Sequence, residues 1–491
     1  MKTLLTFSFL FFAGFSFSQV QIGADLDGAS VYSGFGRSVA LSADGNRLAV
    51  GGPSYDGIAP FSGHVRIYDR VNDSWVQVGN DIHAEAPGDQ FGWSSDFSSD
   101  GSRIAIGAIN NNDGGAGAGH VRVFEFDGND WTQVGNDMDG EAAGDDFGYS
   151  VSISSDGSRV AVGATNNDGT DVYAGHTRVF ELINDAWIQL GSDIDGEAGA
   201  NGSGQSVSLS ANGNRVAIGA PLNGSFDFTF GHGHARVFDF DGSDWVQVGT
   251  DIDGLATGDL AGFSVSLSAH GDKIAVGEVQ DDNSNPGRVR VFEFDGTGWV
   301  QLGSHINGEN IGDYFGSSVA LSALGNKLAV GARFNNAGGE HAGHVRVFEF
   351  ENGDWVQSGM DIDGEAEGDW FGDAIALSDD GCTLAAGAHR NSELGLYTGH
   401  ARAFDMCEST VSSYDIFNVV KVFPNPTFGL IELENSDLLG ADVKIRTVSG
   451  SLITEFRLSD SIVDLSWLDV GIYFLSLVKD DKVQTARIIK F

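Results

Sequence analysis

Apolar and polar positions along most of this chain alternate in short runs broken by turn residues. Ser94 to Ser98 alternates small and apolar side chains up to Asp100-Gly101, and Arg103 to Ala108 is an apolar run holding Ile104, Ala105 and Ile106. A Gly- and Asn-rich stretch, 110–119, leads to His120–Phe126, where Val alternates with Arg and Phe before a break at Asp127-Gly128. Trp131 to Gly135 is a fourth run, and an acidic stretch from Asn136 to Asp146 follows it. A period of two puts successive side chains on opposite faces of a strand. Asp-Gly between two such runs predicts a hairpin, since these residues tolerate the positive φ of a tight turn. The segment therefore predicts four short antiparallel strands, and no part of the chain carries a helical period.

The same unit recurs. Ser-Ala-Asp-Gly at 42–45 returns as Ser-Ser-Asp-Gly at 98–101 and 154–157 and as Ser-Ala-Asn-Gly at 210–213, with degenerate copies ending at Gly271, Gly325 and Gly381. From Gly45 to Gly381 the period averages 56 residues, which makes seven units. Repeats of this length build stacked or radial arrays, and seven four-stranded units predict an all-β, seven-bladed β-propeller. Six units end in a strand that opens with Trp75, Trp131, Trp187, Trp245, Trp299 or Trp355. The seventh lacks it, whereas a matching Val20-Gln21-Ile22-Gly23 stands near the start of the chain. That N-terminal strand is expected to complete the last blade and close the ring. Cys382 opens the second strand of that blade and Cys407 follows the third, which makes them neighbours in an antiparallel hairpin and predicts a disulfide.

Lys2 and the apolar stretch Leu4 to Phe17 predict a secretory signal over 1–18, cut between Ser18 and Gln19. The stretch is shorter than the ~20 apolar residues of a membrane span, and no other comes close, so no transmembrane segment is expected. Export also permits the disulfide. The 491 residues hold 27 Lys and Arg against 69 Asp and Glu, a net charge of −42. That balance excludes nucleic acid as a partner, because phosphate binding takes clustered cations, and it argues equally against anionic membrane surfaces. Composition shifts near Glu408. The chain divides into a propeller over 19–410, a polar linker over 411–420 and a second domain over 421–491. Runs at 430–433, 443–448, 453–458, 472–478 and 486–491 predict a small Ig-like β-sandwich there.

Most units carry Phe-Gly before the first strand (Phe35-Gly36, Phe91-Gly92, Phe147-Gly148, Phe315-Gly316, Phe371-Gly372) and Gly-Ala at the end of the second (Gly107-Ala108, Gly163-Ala164, Gly219-Ala220, Gly331-Ala332). In both motifs the sequence resembles the FG-GAP repeats that build the propeller of integrin α subunits and of many bacterial surface proteins. Many members hold calcium on an Asp-rich loop between the first two strands. Here that loop is Asp44-Gly45-Asn46 and its equivalents, with one carboxylate against the six to eight oxygens calcium takes, so no metal or other cofactor is expected. The tail resembles the C-terminal sorting domain of the type IX secretion system. It does so through Val422-Phe423-Pro424-Asn425-Pro426, Gly429, Val448-Ser449-Gly450, Gly471-Ile472-Tyr473-Phe474 and Arg487-Ile488-Ile489-Lys490-Phe491. The resemblance implies the type IX machinery as a partner, passage through the periplasm, and a final place outside the cell or on its outer surface.

Repeated polar residues invite chemistry that their distribution argues against. His64, His120, His176, His234, His344 and His400 recur at the third strand, with Arg288 in the fifth unit, and an Arg follows two residues later in all seven. A feature present in every blade is spread round the ring, so a strand-entry hydrogen bond for His, an inter-blade ion pair for Arg and inter-blade packing for Trp are expected. The acidic segments share a face with the long Gly/Asn loops and form a negative rim. Function is expected where the symmetry breaks. Trp93 and Tyr149 follow the Phe-Gly pair where Arg37 or Ser317 stands elsewhere, Tyr314 and Trp370 precede it, and Phe228 lies in the 222–233 loop. These aromatics are the candidate ligand contacts, for a glycan or a protein on the loop-rich acidic face. The leading expectation is a non-catalytic binding or adhesion module. The rivals are a glycoside hydrolase or lyase on the same scaffold, and a structural surface component. No catalytic residue is assigned: a singular nucleophile–base pair, His-Glu-x-x-His and Gly-x-Ser-x-Gly are all missing.

Overall fold

The computed structural model describes residues 19–407, apart from 58, 225–230 and 281–284, together with 422–490 apart from 424–426, 428, 434–439, 448–451, 480 and 481. The signal segment with Ser18, the linker 411–420 and Phe228 lie outside the described residues. The chain forms two units that divide after Glu408.

The first unit is a seven-bladed β-propeller of antiparallel sheets. Blade 1 is Ser38–Leu41, Arg47–Gly52, His64–Val71 and Ser74–Gln77; blade 2 is Phe91–Phe97, Arg103–Ala108, His120–Phe126 and Trp131–Gln133. The outer strand comes in two pieces. After Trp131–Gln133 the chain returns to the sheet as Met138–Asp139, opposite Val121 and His120, and so the first part of the predicted acidic loop is strand. The buried Met138 side chain explains the return. In blade 7, Ala374–Leu377, Thr383–Ala388 and His400–Asp405 are completed from the N-terminus. Val20 lies opposite Asp405 and Leu26 opposite Ala401, so the borrowed strand closes the ring as the sequence predicts. Cys382 and Cys407 are disulfide-bonded, with Cα atoms 5.0 Å apart.

First strands face the axis. At one end Leu41, Phe97, Ile153, Leu209, Leu267, Leu321 and Leu377 surround a cavity of about 190 Å³. A circle of main-chain hydrogen bonds runs round it. The Ala43 amide donates to the Ser99 carbonyl, Ser99 to Ser155, Ser155 to Ala211, Ala211 to Ala269, Ala269 to Ala323, Ala323 to Asp379, and Asp379 back to Ala43, all at 2.8–3.0 Å.

The apolar cores lie between blades. Val65 and Ile67 of blade 1 pack with Phe91, Ile104, Ile106 and Trp131 of blade 2, and Val121 and Val123 pack in turn with Phe147, Val160 and Trp187. The two motifs meet at these boundaries. A Cβ on Gly107 would lie 2.2 Å from the carbonyl oxygen of Gly148, and Gly148 itself holds φ +92°. Both positions therefore demand glycine, one for close approach and one for conformation. Ser94 Oγ donates to that same Gly148 carbonyl at 2.7 Å. Five of the six Trp side chains staple outer strands: Trp131 Nε1 donates to Val78 O at 3.2 Å and Trp187 Nε1 to Val134 O at 2.8 Å, while Trp75 Nε1 has no partner.

The second unit is a pair of sheets. Val422–Phe423, Leu430–Leu433 and Ile462–Asp464 form one; Leu452–Arg457, Asp442–Thr447, Gly471–Lys479 and Lys482–Lys490 form the other. Ile431, Leu433 and Val463 from the first share one core with Val443, Ile445, Leu475 and Leu477 from the second. Val422–Phe423 and Ile462–Asp464 are additions to the predicted strands, too short to show a period of their own.

Two outcomes follow from this packing. The disulfide closes a separation of 25 residues, worth about 3 kcal/mol in chain entropy; reduction, or Cys382→Ser with Cys407→Ser, is expected to lower denaturant stability by that order. Asp96 lines the axial cavity and accepts from the Ile153 amide at 2.8 Å and the Ser152 hydroxyl at 3.2 Å. Burial pushes its carboxyl up to about 6 against the pull of those donors. Between about pH 4 and 6 the folded state then holds the extra proton, so stability falls as pH rises through that window and levels above it. Asp96→Asn removes this slope. Its melting temperature is expected to gain on the parent protein from pH 4 to 7, and a pH-independent difference would contradict the assignment.

Candidate functional site

At the opposite end of the axis each first strand begins with the Phe-Gly pair or its variant. Phe35, Phe91, Phe147, Phe315 and Phe371 are fully buried and anchor the entry. The residue after the glycine lines the mouth, and it differs in every blade: Arg37, Trp93, Tyr149, Gln205, Phe263, Ser317 and Asp373. The residue before the pair also varies, yet always in the left-handed region. Gln90, Asp146, Leu260, Tyr314 and Trp370 hold φ of 52–59°. A non-glycine residue there costs of order 1–3 kcal/mol, and such strain gathers at functional positions.

The mouth encloses about 250 Å³ and has a charged side and an aromatic side. Asp373 is the centre of the first. Its Oδ1 accepts from Arg333 Nη1 at 2.9 Å, and its Oδ2 lies 3.3 Å from His389 Nδ1 and 3.6 Å from Arg37. Burial alone would raise this carboxyl, but Arg37, His389 and Arg333 outweigh it and hold the group well below the usual carboxylate range. The His389 ring is pushed down to about 4, chiefly by burial, and is neutral at neutral pH. Two guanidiniums thus face one carboxylate, a positive island on a chain of net charge −42.

On the aromatic side, the Arg37 guanidinium lies 4.2 Å over the Trp93 ring, Trp93 meets Tyr149 with centroids 5.7 Å apart, and Gln205 Nε2 donates to Tyr149 Oη at 3.2 Å. Trp93 Nε1 and Arg333 Nε are buried donors with no protein partner. A groove of about 390 Å³ between blades 3 and 4 shares Tyr149 and Gln205 with the mouth and adds Asp146, Asn166 and Tyr173. Burial, then the neighbouring Asp145, raises the Asp146 carboxyl to about 6. Acidic segments and long loops do share this end: the Asn110 amide donates to Asp89 O and the Asn166 amide to Asp145 O.

The structure therefore sorts the sequence candidates. Trp93 and Tyr149 line the mouth. Tyr314 and Trp370 stand behind it, Tyr314 4.7 Å and Trp370 4.9 Å from Phe334, with Arg333 among the three rings. Sequence reasoning missed Gln205, Phe263, Arg333, Asp373 and His389. For Gln205, Phe263 and Asp373 the available signal was the column of seven dissimilar residues after the glycine; Arg333 and His389 stand outside it.

Six of the seven Arg residues make the inter-blade contacts expected of the series, whereas Arg66 pairs with Asp81 of its own blade. Arg122 donates to His83 O at 2.7 Å and lies 3.5 Å from Glu85, both on the segment arriving from blade 1. For histidine the expectation is corrected. His64, His120, His344 and His400 are buried with both ring nitrogens lacking any hydrogen-bond partner, so no strand-entry bond forms. In His120, His344 and His400 the ring faces carboxylates of its own blade's outer strand and of the segment from the preceding blade, instead of bonding along its own strand. Asp44 and Asp100, the lone acids of the first turns, cap those turns by accepting the Asn46 and Ser102 amides.

No curated protein matches the chain. In fold it is similar to a Bacteroides uniformis protein proposed to be a 6-phosphogluconolactonase, at 12% identity and TM-score 0.47, with 84% of this chain and 97% of that one covered. Among the described residues no helix is long and apolar enough to cross a membrane. Residues 421–490 match the family of secretion system C-terminal sorting domains, which marks the chain as a type IX secretion substrate that is secreted or held at the cell surface.

Proposed function

We propose that the propeller is a non-catalytic capture module that holds an acidic saccharide residue at the axial mouth, exported for that purpose by its sorting tail. The reading rests on one observation: seven different side chains occupy the single mouth position of an otherwise repeated frame. Trp93, Tyr149 and Phe263 offer faces for ring stacking. Arg37 and Arg333 exceed the one carboxylate between them, and guanidinium forks match carboxylate or sulfate geometry. The FG-GAP resemblance of the units supports a role in capture or adhesion. Hydrolysis of a glycosidic bond needs two carboxyl groups flanking it. The mouth supplies Asp373 alone, already engaged by its basic neighbours.

The test pairs glycan arrays and calorimetry with a reducing-end assay. Uronate-bearing or sulfated oligosaccharides are expected to bind without turnover. Trp93→Ala and Arg333→Gln are each expected to weaken binding by about tenfold or more, as truncation of a central contact does, while the melting temperature stays within a few degrees. Turnover abolished by Asp373→Asn, or binding indifferent to both variants, would sink the proposal.

A further inference from the structure

The unpartnered histidines have company. At the entry to blade 2, His120, Asp137, Glu85 and Asp113 place one ligand atom each within 4.8 Å of one another. The aspartate comes from the break in the same blade's outer strand, and the glutamate arrives on the segment from the preceding blade. The trio recurs as His176 with Asp193 and Glu141, His234 with Asp251 and Glu197, His344 with Asp361 and Glu309, and His400 with Asp25 and Glu365.

We infer that these five blade boundaries are binding sites for a divalent transition-metal cation of the zinc type, one ion per boundary. Each histidine is at most 1% exposed, and the Nδ1 that faces the carboxylates has no hydrogen-bond partner in His120, His344 and His400. Nδ1 lies 3.5–3.9 Å from the aspartate. At four boundaries, where it is 3.8–3.9 Å, that spacing exceeds an ordinary hydrogen bond, whereas His234 at 3.5 Å is hydrogen-bonded to Asp251. The wider spacing sits a few tenths of an ångström beyond the roughly 3.4 Å that separates two ligands of a tetrahedral ion with bonds near 2.1 Å. Charge points the same way. Each boundary sets at least two carboxylates against one guanidinium, as Glu141 and Asp193 against Arg178. One imidazole with two or three carboxylates suits zinc and its neighbours, whereas calcium takes six to eight oxygens.

The exceptional blade carries the argument further. In blade 5 Arg288 stands at the histidine position, Leu255 at the glutamate position and His305 at the aspartate position. All three ligands are replaced together, and the Arg288 guanidinium is paired with Glu278 and Asp259. The boundary at which all three ligands are replaced has a cation built into the chain. Blade 1 keeps His64 and Asp81 but has Ala29 in place of the glutamate, and there Arg66 takes Asp81 at 3.1 Å.

The experiment uses the purified exported chain, stripped with chelator and titrated with ZnCl₂, with bound metal counted by elemental analysis and stability followed by melting. The expected result is close to five equivalents and a higher melting temperature, with no comparable effect of CaCl₂. Glu141→Gln with Asp193→Asn, both at partly exposed positions, is expected to keep the fold and to lose one equivalent. Failure to bind zinc, a count unchanged by that double substitution, or equal stabilisation by calcium would each overturn the inference. So would crystals grown with zinc that show only water between His176 and Asp193.

Discussion

A ring of blades has to close, and here closure rests on a circle of main-chain hydrogen bonds about the axis, from Ala43 through six further blades and back to Ala43. Each bond fixes one blade against the next, so a wrong wedge angle at any boundary would accumulate and leave the last bond unmade. The spacing is enforced by glycine against glycine, where Gly107 and its equivalents admit the carbonyl of the following motif to a distance no side chain would tolerate. The last gap is filled by strand from the other end of the chain, which ties the two termini of the propeller into one sheet.

That frame solves one packing problem seven times, and residues outside the solution are free to differ. The position after the motif glycine shows it: its neighbours are fixed by the frame, yet it holds an arginine, a tryptophan, a tyrosine, a glutamine, a phenylalanine, a serine and an aspartate. Function on a shared fold resides in such a site and not in the fold. Five residues held at positive φ beside the mouth add strain that the interlocked first strands sustain. The blade boundaries follow a related logic. Buried apolar strands hold them together, and at their rim a buried imidazole and acids from two blades meet in a repeated polar pocket.

Legibility followed the kind of interaction. Blade count, strand pairing and the disulfide were readable because they depend on local period, turn chemistry and order along the chain. Trp93 and Tyr149 were readable as large aromatics at a position where smaller or charged residues also occur. Asp373, Arg333 and His389 were not, since an isolated acid or base in a loop looks like ordinary surface until its partners stand 3 to 4 Å away. Tyr314 and Trp370 carried the same weight in the sequence as Trp93, and only packing sets them behind the mouth. The histidines were misjudged because distribution round a ring argued against convergence, whereas each converges separately on acids of its own boundary.

Seven-fold β architecture, the exchange of a strand between the chain ends and the disulfide were legible along the chain, because period, turn chemistry and strand order survive without coordinates, and the exported address was legible in the motifs of the tail. Tertiary structure alone decided which residues share the axial mouth, how two arginines hold one aspartate ionised, and that His120 faces Glu85 and Asp137 and not its own strand. Those outcomes depend on distances of a few ångströms between residues tens to hundreds of positions apart, and on the burial that removes water from between them. No pattern along the chain records either quantity.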